Sequence, residues 1–249
     1  MMTRKLTGLL FPSDIYCIAC GSFIDGSRPY ALCDSCLNTF RWANGKVCEK
    51  CGKPLSEDYH HGICVDCRET NHSFEKGYCC VQYGIYEREL LLSFKYGGKT
   101  FIGEKLALIM ADRLEAAGDD SDFVIPVPMH RKKLKKRGFN QAEIIAANLA
   151  KKLKLPYSAG ILLRTGYTTA MSRLTPEERR INIENAFSTA PGAAEIIKGK
   201  KILLVDDIYT TGSTASACSM TLTESGARRV RVIAFAAGAN LLIPAGFSS

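Results

Sequence analysis

From about Gly77 onward, short apolar runs alternate with segments whose apolar residues recur at helical spacing. Tyr78 to Tyr83 reads as a strand, and Glu87 to Tyr96 as a helix carrying Phe94 and Lys95. Gly97-Gly98 breaks that helix, and Phe101 to Ala117 resumes as an amphipathic one ending near Gly118. A short strand, Phe123 to Val127, runs into Pro126-Val127-Pro128. Helical spacing returns over Gln141 to Leu153 and briefly over Pro176 to Asn185, with a strand at Ile161 to Leu163 between them. Ile202 to Val205 is apolar throughout, Ala215 to Glu224 is helix-compatible, and Arg229 to Ala236 is a final apolar strand. Strands alternating with helices imply an α/β fold with a parallel sheet flanked by helices. Residues 1–16 read as a short amphipathic lead-in.

The run Ile202 to Val205 suits a central strand buried on both faces, and such sheets bind ligands where the strands end. Asp206 and Asp207 follow it directly. Thr210-Thr211-Gly212-Ser213-Thr214 then offers successive backbone N–H groups, a Gly for tight curvature and four hydroxyls at the start of a helix. That combination suits a phosphate. The two carboxylates would repel a phosphate in direct contact, so they are expected to face something else. As acceptors, they suit the hydroxyls of a ribose. The stretch describes a sugar phosphate lying along the strand edge.

The first 67 residues have a different logic, with eight of the eleven cysteines in four CxxC pairs. The pattern is CxxCG-x11-CxxC, repeated: Cys17, Cys20, Cys33 and Cys36, then Cys48, Cys51, Cys64 and Cys67. Two CxxC turns about a dozen residues apart can close a tetrahedral four-thiolate zinc site, so two structural zinc ions are expected. Sequential pairing lets each ribbon close locally, while an interleaved pairing stays open. Redox chemistry at the CxxC pairs lacks a thioredoxin-like context. His60 and His61 are potential substitute ligands, though surface loop positions account for them as well. Cys79, Cys80 and Cys218 sit in apolar contexts as buried thiols. The expected division is a zinc-ribbon module over residues 1–75 and an α/β domain over 76–249.

At 249 residues, 46% apolar and 23% charged, the composition is that of a globular protein with room for these two units. Arg4 and Lys5 precede only a short apolar run, so no signal peptide is expected, nor a transmembrane segment; a cytoplasmic location is the default. Residues 1–80 hold nine basic and nine acidic side chains, so the net charge of +8 belongs to the rest of the chain. Six of those cations fall within residues 131–137, Arg131 to Arg137. Taken plainly this is a solvated, flexible surface loop; taken for its chemistry it is an anion funnel. Following Val127, it should open at the same sheet edge as Asp206 and Asp207, toward a pyrophosphate or a nucleic-acid backbone. Phe139 is the nearest aromatic, too little for base readout.

KKILLVDDIYTTGST resembles the signature of type I phosphoribosyltransferases, which bind 5-phosphoribosyl-1-pyrophosphate (PRPP). Together with the double CxxC ribbon, FKYGG, PVP, RGFNQ and LTPEERRINIENAF, it makes the chain resemble the ComF (competence protein F) family, also represented by GntX-type proteins, from Cys17 to Ala236. The resemblance implies a type I phosphoribosyltransferase-like fold behind a double zinc ribbon, and a part in the uptake or use of external DNA. It implies that Asp206 and Asp207 hold the ribose hydroxyls and that Thr210, Thr211, Gly212, Ser213 and Thr214 cradle the 5′-phosphate. Pro128 and Arg137 would lie at the pyrophosphate, with Mg2+ chelated by PRPP, and Arg164 to Thr175 would form a mobile loop closing over the site.

Thr210 stands where purine-salvage members carry a third acid, which disfavours a hypoxanthine-type acceptor, and Met171 stands where the family usually has a Gln. Two functions fit. One is a transferase displacing pyrophosphate at ribose C1. The other is a non-catalytic PRPP-sensing adaptor that binds single-stranded DNA or a partner in the DNA-uptake machinery.

Overall fold

The computed structural model describes residues 14–166 and 186–238. The lead-in up to residue 13, most of the expected mobile loop with Met171, the expected helix Pro176 to Asn185 and the residues after 238 lie outside the described residues.

Four parallel strands form the central sheet: β1 (Lys76–Gln82), β2 (Phe123–Pro126), β5 (Lys201–Tyr209) and β6 (Arg229–Ala237), in the order β1-β6-β5-β2. Between β1 and β2 come α3 (Ile85–Tyr96) and α4 (Ile102–Ala116). After β2 come α5 (Arg131–Arg137), α6 (Gln141–Leu153), a small antiparallel pair of β3 (Leu162–Arg164) with β4 (Phe187–Thr189), and α7 (Ala193–Ile197). Helix α8 (Ser213–Glu224) joins β5 to β6. Two short helices, α1 (Asp34–Thr39) and α2 (Val65–Glu69), belong to the cysteine-rich part.

Alternation along β5 sets the layers, because successive strand residues point to opposite faces. Ile202 and Leu204 share a core with α7 and α8, whereas Leu203 and Val205 share one with α3, α4 and α6. The two cysteine repeats divide the same way. Cys17, Ile18 and Leu32 of the first lie in the α3–α4–α6 core, and Cys48, Cys51 and Cys64 of the second lie in the α8 core. The ribbons thus straddle the β1 edge. Their connector closes it: Ala43 N–H donates to Cys80 O (2.8 Å) and Gln82 N–H to Arg41 O (2.8 Å), with Trp42 bridged antiparallel to Val81. An edge strand left bare would be a template for unwanted pairing.

The structure departs from the sequence expectation at three places. Residues 131–137 are a helix, not a flexible loop. His130 caps it by accepting from Lys132 N–H (3.2 Å), and Gly138 ends it at φ +84°. Cations crowded into its last turn favour the helix dipole. The strand expected at Ile161 to Leu163 begins one residue later and pairs antiparallel with β4, outside the main sheet. Strand β5 also runs on through the acid pair to Tyr209, because Asp206, Ile208 and Tyr209 stay in register with Ala234, Ala236 and Ala237 of β6.

Gly52, in the second ribbon, and Gly77, in β1, meet backbone to backbone. A Cβ on Gly77 would lie 2.7 Å from Cys51 O and 2.9 Å from Cys51 Cα. Gly77 N–H also donates to Lys50 O at 2.7 Å. Neither neighbour is a flexible side chain, so Gly77→Ala is expected to destabilise by about 1–3 kcal/mol, in the range for overpacking. Thermal unfolding of the zinc-loaded protein checks this; an unchanged Tm would contradict the close approach.

Candidate functional site

The carboxyl end of β5 carries the acids, and its neighbours supply the cations. Adjacent strand positions face opposite ways, so Asp206 and Asp207 have different partners. Asp207 forms an ion pair with Lys95 near the end of α3, both side chains being mostly buried. Asp206 lies on the side of Arg164 and Cys218, whose titration it influences. Burial pushes the Asp206 carboxyl well above the usual range, and the neighbouring Asp207 charge adds to this. The Asp207 N–H, donating to Asp206 Oδ1 at 2.8 Å, works the other way.

Beyond Tyr209 the chain leaves the sheet. Thr210 and Thr211 are exposed, Gly212 turns at φ +84°, and α8 begins at Ser213. The first amides of a helix lack intrahelical partners. In α8 no side chain caps them and no acid occupies the first turn, so they face outward as a cationic pole. The Thr211 and Ser213 hydroxyls lie 2.9 Å apart on the same turn. The acid pair and the amide turn are therefore neighbours at the carboxyl end of β5.

Pro128 lies in an adjoining cleft of about 450 Å³ beyond the end of β2, with His130, Arg131, Asn140, Glu143 and Arg164. Neither the acids nor the turn lines that cleft; Arg164, which does, links it to Asp206. Arg137 is committed elsewhere. Its Nη1 donates to Gln141 Oε1 (3.1 Å), its Nη2 to Tyr96 OH (3.0 Å), and its guanidinium stacks 5.1 Å from the Tyr96 ring centre. It therefore sets the end of α3, next to Lys95, rather than pointing alone at a ligand. Burial lowers the Lys133 pKa, and the charges of Arg164, Arg137 and Lys95 lower it further. These four cations share one neighbourhood. Lys133 belongs to the cationic run read from sequence as an anion funnel, whereas Lys95 is placed from sequence only on its helix, with the FKYGG motif as its available signal.

The cysteines fall into the sequential groups, Cys17, Cys20, Cys33, Cys36 and Cys48, Cys51, Cys64, Cys67, with all four sulfurs of each within 4.8 Å of one another. A tetrahedral zinc with bonds of about 2.3 Å places its sulfurs about 3.8 Å apart. Cys20 and Cys33 Sγ are 3.7 Å apart, as are Cys51 and Cys64 Sγ. Backbone N–H groups point at the sulfurs, from Cys33 to Cys17 Sγ (3.4 Å) and from Cys64 to Cys48 Sγ (3.3 Å), as suits thiolates. Both groups fit zinc, and four protein ligands leave no open position for catalysis.

Comparison with known proteins agrees with this layout. The family described as "Double zinc ribbon domain" matches residues 6–68, and "Phosphoribosyl transferase domain" matches residues 102–244. Competence protein F of Haemophilus influenzae is 28% identical over 206 residues, covering 81% of this chain and 88% of that one. Competence protein ComFC of Bacillus subtilis is 29% identical over 202 residues, covering 78% and 79%. Among solved structures, the glutamine PRPP amidotransferase from B. subtilis, complexed with ADP and GMP, matches with a TM-score of 0.35 at 22% identity. That match covers 54% of this chain and only 25% of the longer enzyme. No helix among the described residues is long and apolar enough to cross a membrane.

The raised Asp206 carboxyl makes a prediction about stability. Its folded-state pKa is raised, so its contribution is fully present below the unfolded value of 3.8 and is lost as pH rises through the folded value. Asp206→Asn keeps an acceptor for the Asp207 N–H and removes the charge. The ligand-free variant should melt above wild type at pH 7, by about 2–4 °C per kcal/mol gained, and the margin should shrink toward pH 4. A variant that melts lower at pH 7 would contradict the assignment.

Proposed function

The chain belongs to the phosphoribosyl transferase domain family, and on that premise we propose that it binds PRPP with Mg2+ at the end of β5 and transfers the phosphoribosyl group to an acceptor. The observation that carries the proposal is the contiguity of the acid pair and the uncapped amide turn of α8. In this reading Thr210 to Thr214 grip the 5′-phosphate through main-chain N–H groups and hydroxyls. Asp206 and Asp207 accept from the ribose hydroxyls. The neutral form favoured by burial lets Asp206 donate as well.

Lys95, Lys133 and Arg164 stand at the pyrophosphate end, and Pro128 shapes the cleft beside them. Arg137 holds Tyr96 and so fixes the end of α3 that presents Lys95. The acceptor's lone pair forms the new bond to C1 as the C1–O bond breaks, and that electron pair leaves with pyrophosphate. Mg2+, when bound with PRPP, supplies charge neutralisation at the leaving oxygens. The chain's own contribution is positioning and electrostatic stabilisation, with no covalent nucleophile.

A second reading, a non-catalytic PRPP-dependent adaptor for single-stranded DNA, is favoured by the cationic surface of α5, whose residues 131–136 are largely exposed. A further relative named DNA utilization protein YhgH, from Escherichia coli O157:H7 and 26% identical over 208 residues, supports DNA handling in either case.

Calorimetry with PRPP and Mg2+ tests the shared premise. Binding is expected for the wild type, with affinity reduced at least about tenfold in the doubly substituted Asp206→Ala, Asp207→Ala protein, since one charged hydrogen bond, from Asp207, by itself contributes about 1.5–3 kcal/mol. Equal affinity would remove the ribose assignment. Pyrophosphate released on screening acceptors would select the transferase over the adaptor.

A further inference from the structure

The turn that precedes α8 has an exposed side and a seated side. On the exposed side are Thr210 and Thr211; on the seated side is a wedge contributed by the chain just after the second cysteine group. Tyr209 lies 4% exposed, with its hydroxyl directly beneath Gly212, so that any Cβ at that position would strike it. The same Cβ would fall 2.9 Å from His72 Cε1. His72 is 3% exposed, lies 3.5 Å from the Tyr209 hydroxyl through Nε2, and stacks on Phe74 with ring centres 5.0 Å apart. Phe74 in turn meets the Tyr209 ring edge-on at 6.2 Å. Between them, Ser73 N–H donates to Ser216 Oγ (3.0 Å) in the first turn of α8.

The second cysteine group holds this wedge at Phe74 and at Tyr209. Lys50, between Cys48 and Cys51, hydrogen-bonds Phe74 O and lies 5.3 Å from its ring centre. Lys53, two residues past Cys51, sits 5.9 Å from the Tyr209 ring centre and pairs with Asp66, which lies between Cys64 and Cys67. The first cysteine group makes its contacts on the opposite face of the sheet. There Lys105 of α4 bonds Asp14 (2.6 Å), and Tyr30 OH donates to Asp112 (2.7 Å).

We propose that Tyr209 and the segment His72–Phe74 are positioning residues for the phosphate turn, and that the second cysteine site, alone of the two, controls the turn through them. The proposal rests on the reading of Thr210 to Thr214 as a phosphate site. Metal holds a ribbon's knuckles in shape. With the second site empty, Lys50 and Lys53 lose their fixed stations, the wedge loosens, and the Gly212 turn loses its seat. The coupling is reciprocal, because whatever metal does for ligand affinity the ligand does for metal affinity.

The test uses the full-length, zinc-loaded chain and ribose 5-phosphate as probe. Zinc release into a chromophoric chelator is followed with and without the probe, and the phases are assigned with Cys20→Ser, which opens the first site. Release from the second site is expected to slow several-fold with the probe, and release from the first site to stay unchanged. Ser216→Ala removes the acceptor for Ser73 N–H. It is expected to keep both zinc ions, bind the probe about fivefold more weakly, the worth of one hydrogen bond, and lose most of the protection.

Tyr209→Phe, which keeps the ring and drops the hydroxyl, is expected to behave likewise. Probe binding with no change at either zinc, or equal protection of both, overturns the coupling while leaving the phosphate reading intact. Absence of probe binding to the wild type overturns the phosphate reading and the coupling together.

Discussion

Two carboxylates on adjacent residues of a buried strand are the constraint from which the rest of the site follows. They repel each other, and burial deprives them of the water that would screen them. The fold answers by placing them on adjacent, oppositely directed positions of β5 and pairing Asp207 with Lys95. Burial still holds Asp206 toward its neutral form. An arrangement so costly to stability is characteristic of functional sites, where strain is kept because a ligand relieves it. The uncapped pole of α8 lies just past the same strand, so opposite electrostatic features meet within one turn of chain.

The cysteine-rich part is no appendage to this sheet. Its two ribbons lie on opposite faces, its connector closes the β1 edge, and its Gly52 touches β1 with no side chain between them. A contact so close transmits displacement rather than absorbing it, because packed backbone has nowhere to move. The second ribbon reaches the turn before α8 through the buried Lys53, His72, Phe74 and Tyr209. The first ribbon is tied to α4 instead. The duplicated motif is alike in sequence and unlike in what it supports.

Much of this was legible in the sequence because it is local. Apolar periodicity placed α3, α4, α6 and α8 within a residue or two. CxxCG-x11-CxxC announced the metal sites, and the sequential pairing preferred for local closure is the one the sulfurs adopt. What escaped was set by distant contacts or by short elements. β4 is three residues long, too brief for a period to show, and its antiparallel pairing with β3 joins residues more than twenty apart. The cationic run read as a loop because like charges repel; caps at His130 and Gly138 made it a helix. Arg137 reaches across to Tyr96 of α3, a contact between separate helices. Lys95 with Asp207, and His72 with Tyr209, join residues that no local pattern links.

The central claim is that the turn after Tyr209 holds a phosphate by its backbone. The backbone amide resonances of Thr211 to Ala215, followed while ribose 5-phosphate is titrated into the zinc-loaded protein, test it most directly. The account predicts saturable shifts at these amides, with the amides at the opposite end of the sheet, around Asp119 and Asp120, left in place. Saturable binding that shifts amides elsewhere and leaves these five unmoved would contradict it.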